Sequence, residues 1–299
     1  MSINDRIMRI YLRGPHGEEV SVSFDERQVA HYEERAARAF IPRHSSEEIE
    51  SRLEEAGNIP VLERFAIEEN LCDVCSLSGI NLYGAKRTLG VVVKVLGRFP
   101  GVRRYLSYIG THQGLEDLLS RLQKGDQEVA RRFKLRDILS TEDAVKVASV
   151  LRAYLSDLAL SREKYTATAM AAYGLFDALL LDAEDYDGYR YLTLNTELRR
   201  SAASGFHPQG CYSVESVVYH EFGHFLDDLC KMKSQPAFLS YRRSLTDEEV
   251  ARGLSKYAMT SAAEFIAEAF AEYMCSPLPR PIAAKVGEML VERYACVVK

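Results

Sequence analysis

An α+β fold, a small sheet followed by consecutive helices, is what this 299-residue sequence predicts. Three observations carry the expectation. Short β-type runs bounded by turn residues fall in the first two thirds of the chain. Capped helical segments separate them, and four helical patterns in succession finish the sequence. No internal repeat interrupts this order.

Taken from the N-terminus, "MRIYLRG" and "EEVSVSF" flank "PHG" and predict a short hairpin. In "HSSEEIESRLEEAGN", Ser45 and Glu48 form a capping box, Ile49 and Leu53 lie one turn apart, and Gly57 stops the helix. A seam near residue 77 divides an N-terminal hairpin and helical extension (1–77) from a larger domain (78–299). Next come a helix, a Pro-Gly break and a strand, "RYLSYIG". Residues 113–160 read as helical, the last helix opening with Ser140 and Asp143 and showing Val147, Leu151, Leu155 and Leu158 on one face. "KYTATAMAAYG" and "GYRYLTLN" are rich in Thr and Tyr between turn residues, and both are expected to be strands. Helices are expected at about 213–230, 246–256, 261–275 and 281–297.

The bulk numbers exclude several classes. A net charge of −5, a pI near 5.9 and scattered basic residues argue against a nucleic-acid partner. The apolar runs "GVVVKVLG" and "FDALLLDA" are too short to cross a bilayer, so no membrane role is expected. The N-terminus lacks the apolar core of a secretory signal, which predicts a cytoplasmic protein. Six cysteines then read as reduced thiols; "LCDVC" is a lone C-x-x-C, without the second pair a structural zinc needs.

Chemistry concentrates in "VVYHEFGHFLDD". His220 and His224 stand at i and i+4, so on a helix both rings leave one face a turn apart. Two imidazoles so placed can take two corners of a tetrahedral Zn²⁺. Glu221 is set to reach water at the metal rather than the metal itself: this is H-E-x-x-H, whose chemistry is metal-assisted hydrolysis. Chance alone gives the motif in a chain of this composition about once in a hundred. The surrounding Val217, Val218, Tyr219, Phe222, Phe225 and Leu226 bury the helix, and buried imidazoles need partners. The competing reading is a satisfied pair of core histidines.

A catalytic zinc needs a third protein ligand and an open position. "TSAAEFIAEAFAEYM" offers Glu264, Glu268 and Glu272 at successive helical turns behind a Ser261 cap. Their small and aromatic neighbours suit close helix packing. No histidine follows His224, so Glu264 is the better third ligand. Asp227, past the second histidine, is a candidate to orient a ligand, as is simple solvation of it and Asp228. His207 in "GFHPQG" reads as a turn or cleft-lining residue. His16, His31, His44 and His112 carry no signal.

With these residues in place, "HEFGHFLDD" and "SKYAMTSAAEFIAEAFAEY" resemble the zincin metallopeptidases whose third ligand is a glutamate, the anthrax lethal factor catalytic domain above all. "SGFHPQGCYSVESVVYHEFGH" is also similar to zincin-like domains of phage head-morphogenesis proteins. The resemblance covers residues 204–275. It implies a zincin-like fold: a small mixed sheet packed on an active-site helix, with a helical C-terminal subdomain. It further implies Zn²⁺ on His220, His224 and Glu264, Glu268 orienting a ligating histidine, and Tyr257 stabilising an oxyanion. The expected activity is hydrolysis of a peptide or protein substrate, with Glu221 as base toward a metal-bound water. The edge strand that pairs with substrate would be "GYRYLTLN". The alternatives are a vestigial zincin-like binding or structural module, phage- or toxin-associated, and a hydrolase of non-peptide amides.

Overall fold

Successive residues of the central strands point to opposite faces of one sheet, and each face carries its own core. The computed structural model describes residues 8–13, 15, 17, 19–160, 166–170, 176–188 and 190–298. The sheet contains β3 (Val74–Ser76), β4 (Tyr108–Thr111), β5 (Ala167–Met170) and β6 (Ala178–Leu181) in the order β3-β4-β6-β5; β1 (Met8–Arg13) and β2 (Glu19–Phe24) form a separate hairpin. β3, β4 and β6 are parallel and β5 closes one edge antiparallel. The class is mixed α+β.

Val74, Tyr108, Ala178 and Leu180 face one core with the hairpin and with α1 (Glu26–Ala36), α5 (His112–Gln123), α6 (Gln127–Arg132) and α7 (Thr141–Leu160). Cys75, Ile109, Leu179 and Leu181 face the other. That second core takes α2 (Ser46–Glu55), α3 (Ile59–Glu68), α4 (Leu82–Arg98) and α8 (Arg190–Ala203). It also takes α9 (Val214–Cys230), α10 (Pro236–Ser244), α11 (Asp247–Gly253), α12 (Ala262–Cys275) and α13 (Pro281–Val297). Strand pairing of β3 with β4, and a core running from Phe40 to Tyr294, both cross residue 77, where the sequence places a seam.

The hairpin forms with Met8 opposite Phe24, although turn residue His16 lies outside the described residues. The Ser45–Glu48 capping box forms as well. "GYRYLTLN" is not a strand: residues 190–195 open α8. Tyr191, Leu194, Leu198 and Ala202 pack inward at helical spacing, and that burial overrides the β preference of Tyr and Thr. "RYLSYIG" is a strand only from Tyr108, because Pro100–Tyr105 wind into a 3-10 turn. In "KYTATAMAAYG" the strand is Ala167–Met170; residues 164–165 and 171–174 lie outside the described residues. β3, β6 and α10 were not expected. β6, "ALLL", is buried on both faces and so lacks alternation. Among the described residues no helix is long and apolar enough to cross a membrane.

Beside β3, buried Asp73 fastens the N-terminal segment to this frame. Its carboxylate meets Arg38 at 2.8 Å, Lys134 at 2.8 Å, Arg103 at 2.9 Å and Arg35 at 3.4 Å. Burial would raise its pKa, but the four cations outweigh that and hold it at about 2. A depressed carboxylate stabilises the fold above its ordinary pKa of 3.8 and loses that contribution as pH falls toward 2. Asp73→Ala removes the carboxylate that buried Arg35 and Arg103 share and is expected to cost about 3–5 kcal/mol at neutral pH. Denaturant unfolding checks this, with the gap to the parent narrowing as pH falls from 4 toward 2.

Candidate metal centre

Helix α9 presents the motif because its remaining faces are committed to the core. Val214, Val218, Phe222, Phe225 and Leu226 are buried, leaving His220 and His224 side by side with ring centroids 4.9 Å apart. Helix α12 starts where the Ser261 hydroxyl accepts the Glu264 backbone N–H at 3.1 Å. The two helices touch backbone to backbone. A Cβ built on Gly223 would fall 2.6 Å from the Ala267 Cα, so only glycine fits there.

That approach brings three donors together. His220 Nε2 lies 3.2 Å from His224 Nε2 and 3.0 Å from Glu264 Oε2, and His224 Nε2 lies 3.6 Å from the same oxygen. A tetrahedral zinc with ligand distances near 2.0–2.1 Å requires ligand-to-ligand separations of about 3.3 Å. All three measured distances bracket that value. Glu264 Oε2 is buried and meets no well-aligned hydrogen-bond donor among the described residues, its charge being balanced by the adjoining His220 ring. A buried carboxylate oxygen so placed suits a cation. These residues therefore fit a divalent metal.

Glu268 sets which nitrogen is available. Its Oε1 accepts from His220 Nδ1 at 2.9 Å, so in the neutral ring the lone pair falls on Nε2, toward Glu264. Glu268 also accepts from the Ser255 hydroxyl at 2.7 Å and lies 3.2 Å from His207 Nδ1. It is 2% exposed, and burial opposes its charge; the bonds from His207 and His220 outweigh burial and hold its pKa at about 2. Burial likewise opposes charge on His220, yet Glu264 and Glu268 on either side push that ring up to about 10. His224 is lowered to about 4 by burial and by its charged neighbour His220. Burial works against the Glu264 charge too, but the adjoining His220 ring lowers its pKa overall. The centre is built to hold positive charge.

Glu221, beside the first ring, is anchored from the sheet. Its Oε2 accepts from the backbone N–H of Ala169, in edge strand β5, at 2.6 Å. Burial raises its pKa to about 7, against the lowering effect of His220. His220, Glu221, His207 and Tyr257 line a cavity of about 380 Å³, walled on other sides by Leu198, Phe206, Pro208 and Val217. Tyr257 lies in a 3-10 turn held by Ala258 N–H donating to the Ser255 hydroxyl at 3.0 Å. Its ring centroid is 6.1 Å from that of His220 and 5.4 Å from that of His207.

The structure thus brings His220, Glu221, His224, Tyr257, Glu264 and Glu268 to one place. Asp227 is engaged elsewhere: its carboxylate accepts from the backbone N–H of Lys233 at 2.9 Å and lies 3.5 Å from that ammonium, tying the end of α9 to the turn after it. Asp228 accepts from the Tyr105 hydroxyl at 2.6 Å. Glu272 binds Arg280 at 2.7 Å. His207 lines the cleft as its turn suggests, but its bond to Glu268 gave no sequence signal, and neither did Ser255. The sheet edge beside the motif is β5, whereas "GYRYLTLN" is helical. No family model, no curated protein and no solved structure matches the chain.

Two substitutions check this geometry. Gly223→Val is expected to force α9 and α12 apart, costing about 1–3 kcal/mol in thermal unfolding and weakening metal uptake. Glu268→Ala is expected to lower zinc affinity about 10–100-fold in a competition titration with a chromophoric chelator.

Proposed function

We propose that this chain is a zinc-dependent peptidase of zincin-like fold, with His220, His224 and Glu264 as metal ligands and Glu221 as general base. The observation that carries the reading is the convergence of two Nε2 atoms and one carboxylate oxygen at separations a tetrahedral ion demands. When bound, Zn²⁺ supplies Lewis acidity and makes water nucleophilic at neutral pH.

The chain's own residues do the remainder. Glu221, with a pKa of about 7, is matched to taking a proton from water and returning it to the leaving amine. Its anchorage to Ala169 fixes it at the sheet edge where an extended peptide would lie. Tyr257, whose ring lies 6.1 Å from that of His220, would donate its hydroxyl to the developing oxyanion. Glu268 keeps His220 in the ligating tautomer. The largely apolar walls of the cavity beside Glu221 suit a substrate side chain without charge.

Metal content by mass spectrometry, followed by chelator-sensitive cleavage of a peptide library, tests the reading. One zinc per chain and cleavage abolished by chelator are the expected results. Glu221→Gln should keep the metal and lose about 10²–10⁴ in turnover. Tyr257→Phe should keep it and lose about 10²–10³. His224→Ala should lose the metal. Zinc held fully by His224→Ala, or full activity in Glu221→Gln, would overturn these roles. A loaded chain that cleaves nothing would mark a binding module instead.

A further inference from the structure

Two thiols meet at the back of the cavity wall, from segments far apart in sequence. Cys211 is 4% exposed and lines the cavity, in the turn between His207 and α9. Cys275 is the last residue of α12 and is partly exposed. The backbones abut here: Gly210, at φ +87°, turns the chain so that a Cβ built on it would stand 3.6 Å from the Ser276 Cβ. The neighbouring Cys275 thiol, together with burial, raises the Cys211 pKa well above its ordinary value. Reactivity is therefore divided, with a solvent-reachable sulfur in front and a shielded thiol behind it.

We propose that Cys211 and Cys275 are a redox-modifiable pair, joined by thiol–disulfide exchange with a small oxidised disulfide such as glutathione disulfide. The Cys275 thiolate attacks one sulfur of the reagent, forming a mixed disulfide and releasing one glutathione thiolate. Cys211 then attacks the Cys275 sulfur, the protein disulfide forms, and the second glutathione leaves. The two protein protons pass to the leaving thiolates; the protein is oxidised by two electrons and the reagent is reduced by two.

The consequence lies in what the bond encloses. A link between residues 211 and 275 closes a loop holding α9, α10, α11 and most of α12, hence every metal-ligating candidate. It staples the turn that carries His207 to the helix that carries Glu264 and Glu268. Cys72 and Cys75 also face each other, but at 2% and 3% exposed neither offers a sulfur for the first attack. They serve as an internal control. Cys296 is exposed and remote in sequence, so it is removed as Cys296→Ser.

The test is incubation of the full chain, carrying Cys296→Ser, with glutathione disulfide, then non-reducing digestion and mass spectrometry. The expected product is the linked Cys211–Cys275 peptide pair, two hydrogens lighter than the separate peptides and released by reductant. In Cys211→Ser, Cys275 should stop as the glutathione adduct; in Cys275→Ser, Cys211 should remain unmodified. The linked form should also unfold at higher denaturant than the reduced form of the same chain. A parent chain in which Cys275 stays as an adduct, both cysteines stay free, or Cys72–Cys75 links instead would overturn the proposal. None of these readouts depends on peptide hydrolysis, so failure here leaves the peptidase reading untouched, and the reverse holds.

Discussion

The contact between Gly223 and Ala267 governs the site. Helices that meet through ordinary side chains stand 8–10 Å apart, a spacing that side chains at the interface set. Here one partner has no side chain and the other only a methyl, so the axes close in. A glutamate is a short reach for a ring on another helix. Only with α12 drawn against α9 do Glu264 and Glu268 come to opposite nitrogens of one imidazole. The middle of the motif, "EFGH", is therefore part of what brings the rings and carboxylates together, although Gly223 carries no functional group.

Charge compensation follows from the same closeness. Glu221, Glu264 and Glu268 stand around His220, and Glu268 is all but excluded from water. Three carboxylates in so small a volume repel one another unless positive charge sits among them. Glu268 is served by His220, His207 and Ser255 at once, so its charge is retained. Glu221 has a single backbone N–H and much burial, so its proton affinity rises to the range useful in acid–base chemistry. Two glutamates near one histidine thus acquire opposite characters from their donors alone.

Much of this was legible in the sequence where the controlling forces are local. The hairpin, the Ser45–Glu48 box, the Ser261 cap and the i, i+4 histidines depend on residues within a turn of one another, and all of them form. What local pattern could not supply was set by tertiary burial. β6 is apolar throughout because helices cover both faces, so its alternation is lost. Residues 190–195 look β-prone by composition, but Tyr191 and Leu194 face a core that only a helix can reach with both. Ser255 and His207 meet Glu268 from 13 and 61 positions away, and no spacing rule joins them. Asp227 lies one turn past His224 yet is drawn off by Lys233, a residue in the turn beyond the helix.

The three glutamates of α12 show how a repeat is divided among tasks. A step of four residues turns an α-helix by about 40° beyond a full circle. Glu264 faces the Nε2 atoms of both rings, and Glu268, one turn on and 40° round, reaches His220 from its Nδ1 side. By Glu272 the rotation is about 80°, and the carboxylate has left the rings for Arg280. Were α12 rotated to bring Glu272 inward, Glu264 would swing out of reach of the rings. The ion pair of Glu272 with Arg280, which also bonds the carbonyl of Arg252, opposes that rotation. A helix with like charges at equal intervals thereby holds one rotational setting, and the setting it holds places one oxygen between two imidazoles.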